Sequence, residues 1–290
     1  MMTLEDCRRF YAEEIRFSAN IGSDILIDAF ARVPRERFLG PGPWEVASPE
    51  LRAAAAGNIS TAYRPVTDPH QLYHNVVIVL DKPADINNGQ PSALARWIDL
   101  LNLNNGDRVH HLGCGVGYYT AIISEVVGPN GAVVGSEVNP QLAQRAKENL
   151  AAYPNVAVYS GDGAIFDPGP YDAMLVNAGV THPLPLWLDR MNDGARLLLP
   201  LTMATTPTIG IGFMGKITRR GDSLVAAVET SLAIYSCTSA RDPELESVLR
   251  TAITTGALAQ LKSVIRQSHA KTGKCLVHSA DVCLSSAEAG

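Results

Sequence analysis

An α/β fold is expected of this chain: a Rossmann-like, doubly wound, mostly parallel sheet with N-terminal helices, a C-terminal antiparallel hairpin and a C-terminal helical extension. Three observations carry the expectation. From 107 to 201 short apolar runs alternate with helical stretches, which demands crossover connections and therefore parallel strands covered on both faces. A glycine-rich turn, Gly113-Cys114-Gly115-Val116-Gly117, closes the first of those runs and opens a helix. After Pro200 the alternation stops, and two long β-prone runs flank Gly221-Asp222, a hairpin turn.

Phe10, Ile15, Phe17, Ile25, Ile27 and Phe30 supply apolar positions for helices over the first thirty residues, with a break at Asn20-Ile21-Gly22-Ser23. The stretch PRERFLGPGPWEVASPE, with its four prolines and two glycines, reads as a loop or surface excursion. Val76–Leu80 is a short strand. Asn87-Asn88-Gly89-Gln90 turns into a helix begun by Pro91 and carrying Leu94, Trp97, Ile98 and Leu101. Strands are expected at 108–112, 132–137, 156–159, 171–176 and 195–201, with helices at 118–127, 140–152 and around Trp187-Leu188. Pro243 starts a helix expected to run through Ile265, and the tail after Gly273 is read as carrying one apolar patch, Cys275-Leu276-Val277, and ending polar. The chain divides on this reading into 1–75, a helical and loop segment; 76–236, a ligand-binding α/β domain; and 237–290, a helix and tail.

Composition narrows the function. The 290 residues are 46% hydrophobic and 18% charged, which is globular. Net charge is −5, from 24 basic and 29 acidic residues, so no general nucleic-acid partner is expected. No apolar run reaches membrane-spanning length, and the N-terminus lacks the apolar core of a secretory signal, so no membrane partner is expected either. Five cysteines in irregular spacing read as reduced thiols, hence a cytoplasmic protein. Oligomeric state is not legible.

The chemistry lies in the glycine loop and in the acidic residues beyond it. A ligand at the carboxyl end of a parallel sheet touches backbone, and Cβ atoms there would obstruct it. Glu137 ends the second strand, placed to accept hydrogen bonds from ribose hydroxyls. Asp162, in Ser160-Gly161-Asp162-Gly163-Ala164 after the third, is placed to accept from an adenine amino group, with the glycines leaving room for the ring. A dinucleotide fingerprint would need a third glycine where Tyr118 stands and a basic or amide-rich seat for a pyrophosphate. The loop carries no lysine or arginine, so S-adenosylmethionine is preferred over a nicotinamide cofactor.

These stretches resemble class I methyltransferases, and among them the protein-L-isoaspartate O-methyltransferase family. The likeness rests on VPRERFLGP (33–41), DINNGQPSA (85–93), DRVHHLGCGVGYYTAIISEVVG (107–128), SGDGAIFDPGPYDAMLVNAG (160–179) and GARLLLPL (194–201). The resemblance implies that Gly113, Cys114, Gly115, Gly117 and Tyr118 border the methionine part of the donor. It further implies Glu137 and Val138 at the ribose, Asp162, Gly163 and Ala164 at the adenine, and His111 and Asn177 nearby. The family's acceptor is a peptide carboxylate.

Three departures stand out. His111 occupies a position usually acidic in the family, near the donor's amino group, and if it sits there its protonation should alter affinity between about pH 5 and 8. The family's acceptor loop G-Q-T-x-S becomes Gly89-Gln90-Pro91-Ser92-Ala93, which removes the threonine and shifts the serine by one. Residues 42–74 and the segment after 240 look like additions. Ser92, Gln90 and His182 are the candidates for positioning the acceptor, with Tyr73, His74, Asn177 and Thr181 behind them. The acceptor is a peptide carboxylate or, alternatively, a small molecule; a non-catalytic S-adenosylmethionine-binding module is the further alternative. No metal is expected, because Cys275, His278 and Cys283 fit no closed four-ligand spacing.

Overall fold

The computed structural model describes residues 2–48, 62–84 and 86–290. Part of the proline-rich excursion, 49–61, and Asp85 of the acceptor loop lie outside the described residues. The chain forms two compact units, which are described separately: one of Met1–Gly106, Cys114–Ala132 and Asn139–Val158, the other of Asp107–Gly113, Val133–Val138 and Tyr159–Gly290.

The first unit begins with helices α1 (Leu4–Ala19) and α2 (Asp24–Arg32). Thr3 and Asp6 form a reciprocal capping box on α1, and the expected break falls at Asn20, which takes the left-handed φ of 50° that asparagine tolerates. Ser23 caps α2 by accepting from the Leu26 amide at 3.2 Å. The segment expected as a loop is more ordered than its prolines suggest. Strands β1 (Trp44–Ala47), β2 (Arg64–Val66), β3 (Val77–Asp81) and β4 (Ile86–Asn87) make a small sheet in the order β2-β1-β3-β4. Arg35 fastens this region. It is fully buried, and its guanidinium donates to the carbonyls of Leu72 (2.6 Å), His74 (3.0 Å) and Val76 (2.7 Å). It also lies 5.6 Å from the Tyr11 ring and 5.9 Å from the Tyr118 ring, within cation–π range. Helix α3 (Pro91–Leu100) comes next, buried along Leu94, Ala95, Trp97 and Ile98. Helix α4 (Tyr118–Val127) is apolar almost all round and accordingly buried almost all round. Helix α5 (Pro140–Asn149) is capped by Asn139 and ends three residues before its expected limit.

The larger sheet has ten described strands: β5 (Arg108–Leu112), β6 (Ala132–Glu137), β7 (Val156–Ser160), β8 (Tyr171–Val176), β9 (Met191–Ala204), β10 (Ile209–Arg220), β11 (Ser223–Tyr235), β12 (Ser263–Ile265), β13 (Cys275–His278) and β14 (Cys283–Ser285). Their order is β13-β14-β12-β11-β10-β9-β8-β5-β6-β7. Pairs β5–β8 and β8–β9 are parallel, and β9–β10–β11 run antiparallel around the expected turn at Gly221-Asp222. The core of the second unit gathers Met174, Val176, Trp187, Leu197, Leu199, Leu249, Leu258 and Leu284. Trp187 sits in the short helix α6 (Pro185–Asp189), as its neighbourhood in the sequence implied.

The C-terminal segment differs from expectation. Helix α7 (Pro243–Thr254) stops eleven residues short of Ile265, because Gly256 takes a left-handed φ of 76° and ends it. The residues beyond are ordered into strands rather than a tail. They add β12, β14 and β13 to the edge of the sheet, where unpaired strand groups invite addition. Each added strand has only three or four residues, too few for a period to register in the sequence.

Candidate active site

Four adjacent strands of the larger sheet present the sequence-derived site residues along one edge. In the order β8-β5-β6-β7, Asn177 succeeds the first, Gly113 the second, Glu137 ends the third, and Asp162 lies just past the fourth. The strand ends are knitted by backbone bonds: the Gly113 amide donates to Ser136 O (2.8 Å), the Asn177 amide to Leu112 O (2.8 Å), and the Gly161 amide to Glu137 O (2.9 Å). This is the carboxyl edge of a doubly wound sheet, where ligands of such folds bind.

The glycine loop is strained into the left-handed region at Gly113, Gly115 and Gly117, with φ of 76°, 57° and 91°. The three have different reasons. A Cβ on Gly113 would come 3.2 Å from the Asn177 carbonyl, and one on Gly117 would meet Leu150 at 2.7 Å. Gly115 faces open space instead. Protein packing thus reinforces the need for glycine at two of the positions, while at Gly115 the left-handed φ alone requires it and no protein atom lies where a Cβ would be.

Glu137 is 8% exposed, with the 53% exposed Val138 directly after it. Past β7, Asp162 accepts from the Ala164 amide at 2.9 Å, fixing an Asx turn, and Ile165 is 73% exposed. Acidic groups flanked by exposed apolar side chains suit a nucleoside, whose sugar is polar and whose base is flat and apolar on its faces. The reason for Gly163 is not the one expected. A Cβ there would sit 2.2 Å from Ser136 Oγ and 2.9 Å from Leu112 Cγ, so this glycine lets the turn lie against β6 and β5.

Three site residues are buried more deeply than their sequence reading supposed. Tyr118 packs edge-on against Phe30 and Phe38, and Cys114 is buried, so neither side chain is exposed as an open binding surface. His111 is fully buried in β5, and burial, followed by the neighbouring His110, depresses it to about 3. It is neutral between pH 5 and 8, so the expected pH-linked affinity through this residue is withdrawn: a sheet interior gives an imidazolium no solvation. His110, whose Nε2 lies 3.1 Å from Ser136 Oγ, is likewise pushed down to about 4 by burial.

The acceptor candidates separate. Gln90 and Ser92 stand together in the first unit: the Gln90 amide donates to Ser92 Oγ at 3.0 Å, and the Ser92 amide donates to Asn75 Oδ1 at 3.0 Å. Gln90 is the cap residue of α3 and Pro91 its first turn, so the proline is helix-compatible but offers neither amide nor hydroxyl. Gly89, with φ of 77°, is pinned by Tyr119, whose hydroxyl donates to its carbonyl at 3.3 Å. His182 belongs to the second unit, its Nδ1 2.8 Å from Thr181 Oγ1 and its pKa lowered by burial against the opposing pull of Asp242 and Asp281. Sequence reasoning missed Arg35, Ser136 and His269. Arg35 sat in a matched motif, and that was the available signal; Ser136 and His269 gave none.

Comparison with known proteins agrees with this geometry. A family model described as protein-L-isoaspartate(D-aspartate) O-methyltransferase matches residues 60–230. The chain is 33% identical over 213 residues to protein-L-isoaspartate O-methyltransferase 1 of Archaeoglobus fulgidus, covering 70% of this chain and 83% of that one. A solved protein-L-isoaspartate O-methyltransferase shares the fold with a TM-score of 0.63 at 21% identity, over 90% of this chain and 72% of that one. A second, from Plasmodium falciparum and in complex with S-adenosyl-L-homocysteine, has a TM-score of 0.59 at 15% identity, over 80% and 98% of the two chains.

Proposed function

The chain belongs to the protein-L-isoaspartate(D-aspartate) O-methyltransferase family and is an S-adenosylmethionine-dependent methyltransferase of carboxylates in peptides, and from that premise we propose that its preferred acceptor is a peptide carboxylate other than a plain isoaspartyl residue. The observation that carries the proposal is the acceptor loop. Pro91 replaces the hydroxyl-bearing residue, Ala93 replaces the serine, and Ser92 Oγ already accepts from Gln90. A site that recognises its substrate through hydrogen bonds discriminates strongly when those bonds are rearranged.

The residues present fit the methyl donor. Gly115 offers left-handed backbone to open space, and Glu137 with Val138, and Asp162 with Ile165, pair a carboxylate with an exposed apolar side chain. In the reading proposed, Gly113, Gly115 and Gly117 border the methionine part, Glu137 takes the ribose hydroxyls, and Asp162, Gly163 and Ala164 meet the adenine edge. Cys114 and Tyr118 contribute backbone, His111 lies buried in the strand beneath, and Asn177 ties the strand ends by donating to Gly113 O at 3.2 Å. When bound, S-adenosylmethionine supplies an electrophilic methyl group on a sulfonium.

The protein's own work is positioning. A carboxylate acceptor is already ionised at pH 7, so no side chain need take a proton. Gln90 and Ser92 orient the acceptor, and holding it in near-attack geometry is worth about 7–11 kcal/mol. Burial biases His182 toward its neutral form, away from a cation that would hold a carboxylate by charge.

The test is transfer of a labelled methyl group to a peptide panel and to cell extract, scored as base-labile methyl ester. Esterification of a peptide carboxylate in extract, with plain isoaspartyl peptides poor, is the expected result. Efficient methylation of plain isoaspartyl peptides, with kcat/KM of about 10⁴ M⁻¹s⁻¹ or more, would overturn the proposed acceptor.

A further inference from the structure

The C-terminal strands bring together side chains that the methyl-transfer chemistry does not use. His269, Cys275, His278 and Cys283 each turn one ligand atom toward a common point, and those atoms all lie within 4.8 Å of one another. We propose that these four residues form a closed, structural zinc site that fastens the β13–β14 hairpin to the loop before it.

Several independent features point the same way. Two thiolates and two imidazoles are a closed ligand set for tetrahedral zinc, and the two thiolate charges neutralise the ion. With zinc–sulfur bonds of about 2.3 Å and zinc–nitrogen bonds of about 2.0–2.1 Å, the edges of the ligand tetrahedron measure about 3.3–3.8 Å. Cys275 Sγ and His269 Nε2 are already 3.5 Å apart. The histidine is also in the correct tautomer. His269 Nδ1 lies 2.9 Å from Gln267 O, and a carbonyl only accepts, so Nδ1 carries the proton and Nε2 turns a lone pair toward Cys275. A ring nitrogen donating to a backbone carbonyl while its partner faces the metal is the usual second contact of a zinc-bound histidine. His278 Nδ1 is buried with no hydrogen-bond partner, a cost that a bound metal would remove. Cys275 Sγ sits at Thr272, whose amide donates to it at 3.3 Å, an arrangement suited to a thiolate.

The topology explains why the spacing test failed. His278 and Cys283 face each other across the hairpin, and Cys275 stands opposite Ser285 on the same two strands. His269 comes from the irregular stretch before β13, so the fourth ligand is contributed by a loop rather than by the Cys-x₂-His run. A four-point clamp suits strands of three and four residues, which bury little by themselves.

The experiment uses the full chain, purified without chelator, added metal or an affinity tag. Elemental analysis should find about one zinc per chain, with Cys275 and Cys283 unreactive toward thiol reagents until the metal is withdrawn. Cys283→Ser and His269→Ala should each lower the zinc content at least tenfold. Should those variants fail to fold, metal-stripped wild-type protein titrated with cobalt decides the matter. One equivalent should give intense ligand-field bands of tetrahedral geometry and a thiolate-to-cobalt charge-transfer band. Weak octahedral bands, a Cys275–Cys283 disulfide in the purified protein, or zinc content unchanged in folded variants would each overturn the proposal.

Discussion

Acidification within a narrow window should destabilise this protein through two adjacent histidines. His110 is 1% exposed and His111 fully buried on β5, and burial holds them at about 4 and about 3, against about 6.5 in an unfolded chain. Both folded values lie below the unfolded one, so the native state refuses protons that the unfolded state takes. The stabilisation is complete above about pH 6.5 and is lost as pH falls toward the folded values. Each histidine approaches a slope of about 1.4 kcal/mol per pH unit only below the unfolded value, so between about pH 6.5 and 5.0 the pair removes about 3 kcal/mol. Other shifted histidines are common to wild type and variant: His182, lowered by burial, acts in the same sense, and His269, raised by its bond to the Gln267 carbonyl, in the opposite one. Asp6, Asp68 and Asp167 have pKa values lowered further below the carboxylate range and act only at lower pH. His70, raised by its bond to Asp68, works in the opposite sense, its contribution being fully present below about 6.5 and lost as pH rises. Urea unfolding across the window, for wild type and for the His110→Gln/His111→Leu double variant, isolates the effect as a difference in slope. The wild type should take up about two more protons on unfolding than the variant near pH 5. Equal slopes would mean the pair is not buried neutral, and the packing described for β5 would be wrong.

Other consequences are equally direct. Glu137→Ala should weaken binding of S-adenosylhomocysteine by about 1.5–3 kcal/mol in calorimetry, through loss of charge-assisted bonds. Gly163→Ala should lower stability by about 1–3 kcal/mol in thermal unfolding, since its Cβ would meet Ser136 Oγ at 2.2 Å, whereas Gly115→Ala meets no protein atom, costs about 1–2 kcal/mol for its left-handed φ, and should impair donor binding as well. Pro91→Thr with Ala93→Ser should raise methyl transfer to isoaspartyl peptides at least tenfold in initial-rate assays, because it restores both hydroxyls of the acceptor loop.

Much of this molecule is readable in its sequence, for physical reasons. Parallel strands buried on both faces announce themselves as apolar runs, and β5, β6, β8 and α4 match their expected limits. The placement of Glu137 and Asp162 at strand ends is legible because short apolar runs fix where the strands stop. What escapes is whatever depends on contacts distant in sequence. Arg35 looks like a surface charge in a proline-rich stretch, and only the carbonyls of Leu72, His74 and Val76 explain its burial. Gly163 reads as ligand space, yet Ser136 on the neighbouring strand requires it. His111 looks like a pH-responsive group because its burial, which sets its protonation, is a tertiary property. His269 reaches its cysteine and histidine neighbours through a loop that no spacing rule encodes.

The most direct measurement is a crystal structure with S-adenosylhomocysteine bound. The Glu137 carboxylate should accept both ribose hydroxyls at about 2.6–3.0 Å, with the adenine against Val138 and its amino group at Asp162. The amino-acid end should lie along Gly113–Gly117, and Gly115 should be in contact with the ligand. A ligand seated elsewhere, or a ribose that Glu137 does not touch, would contradict the assignment of this sheet edge as the donor site.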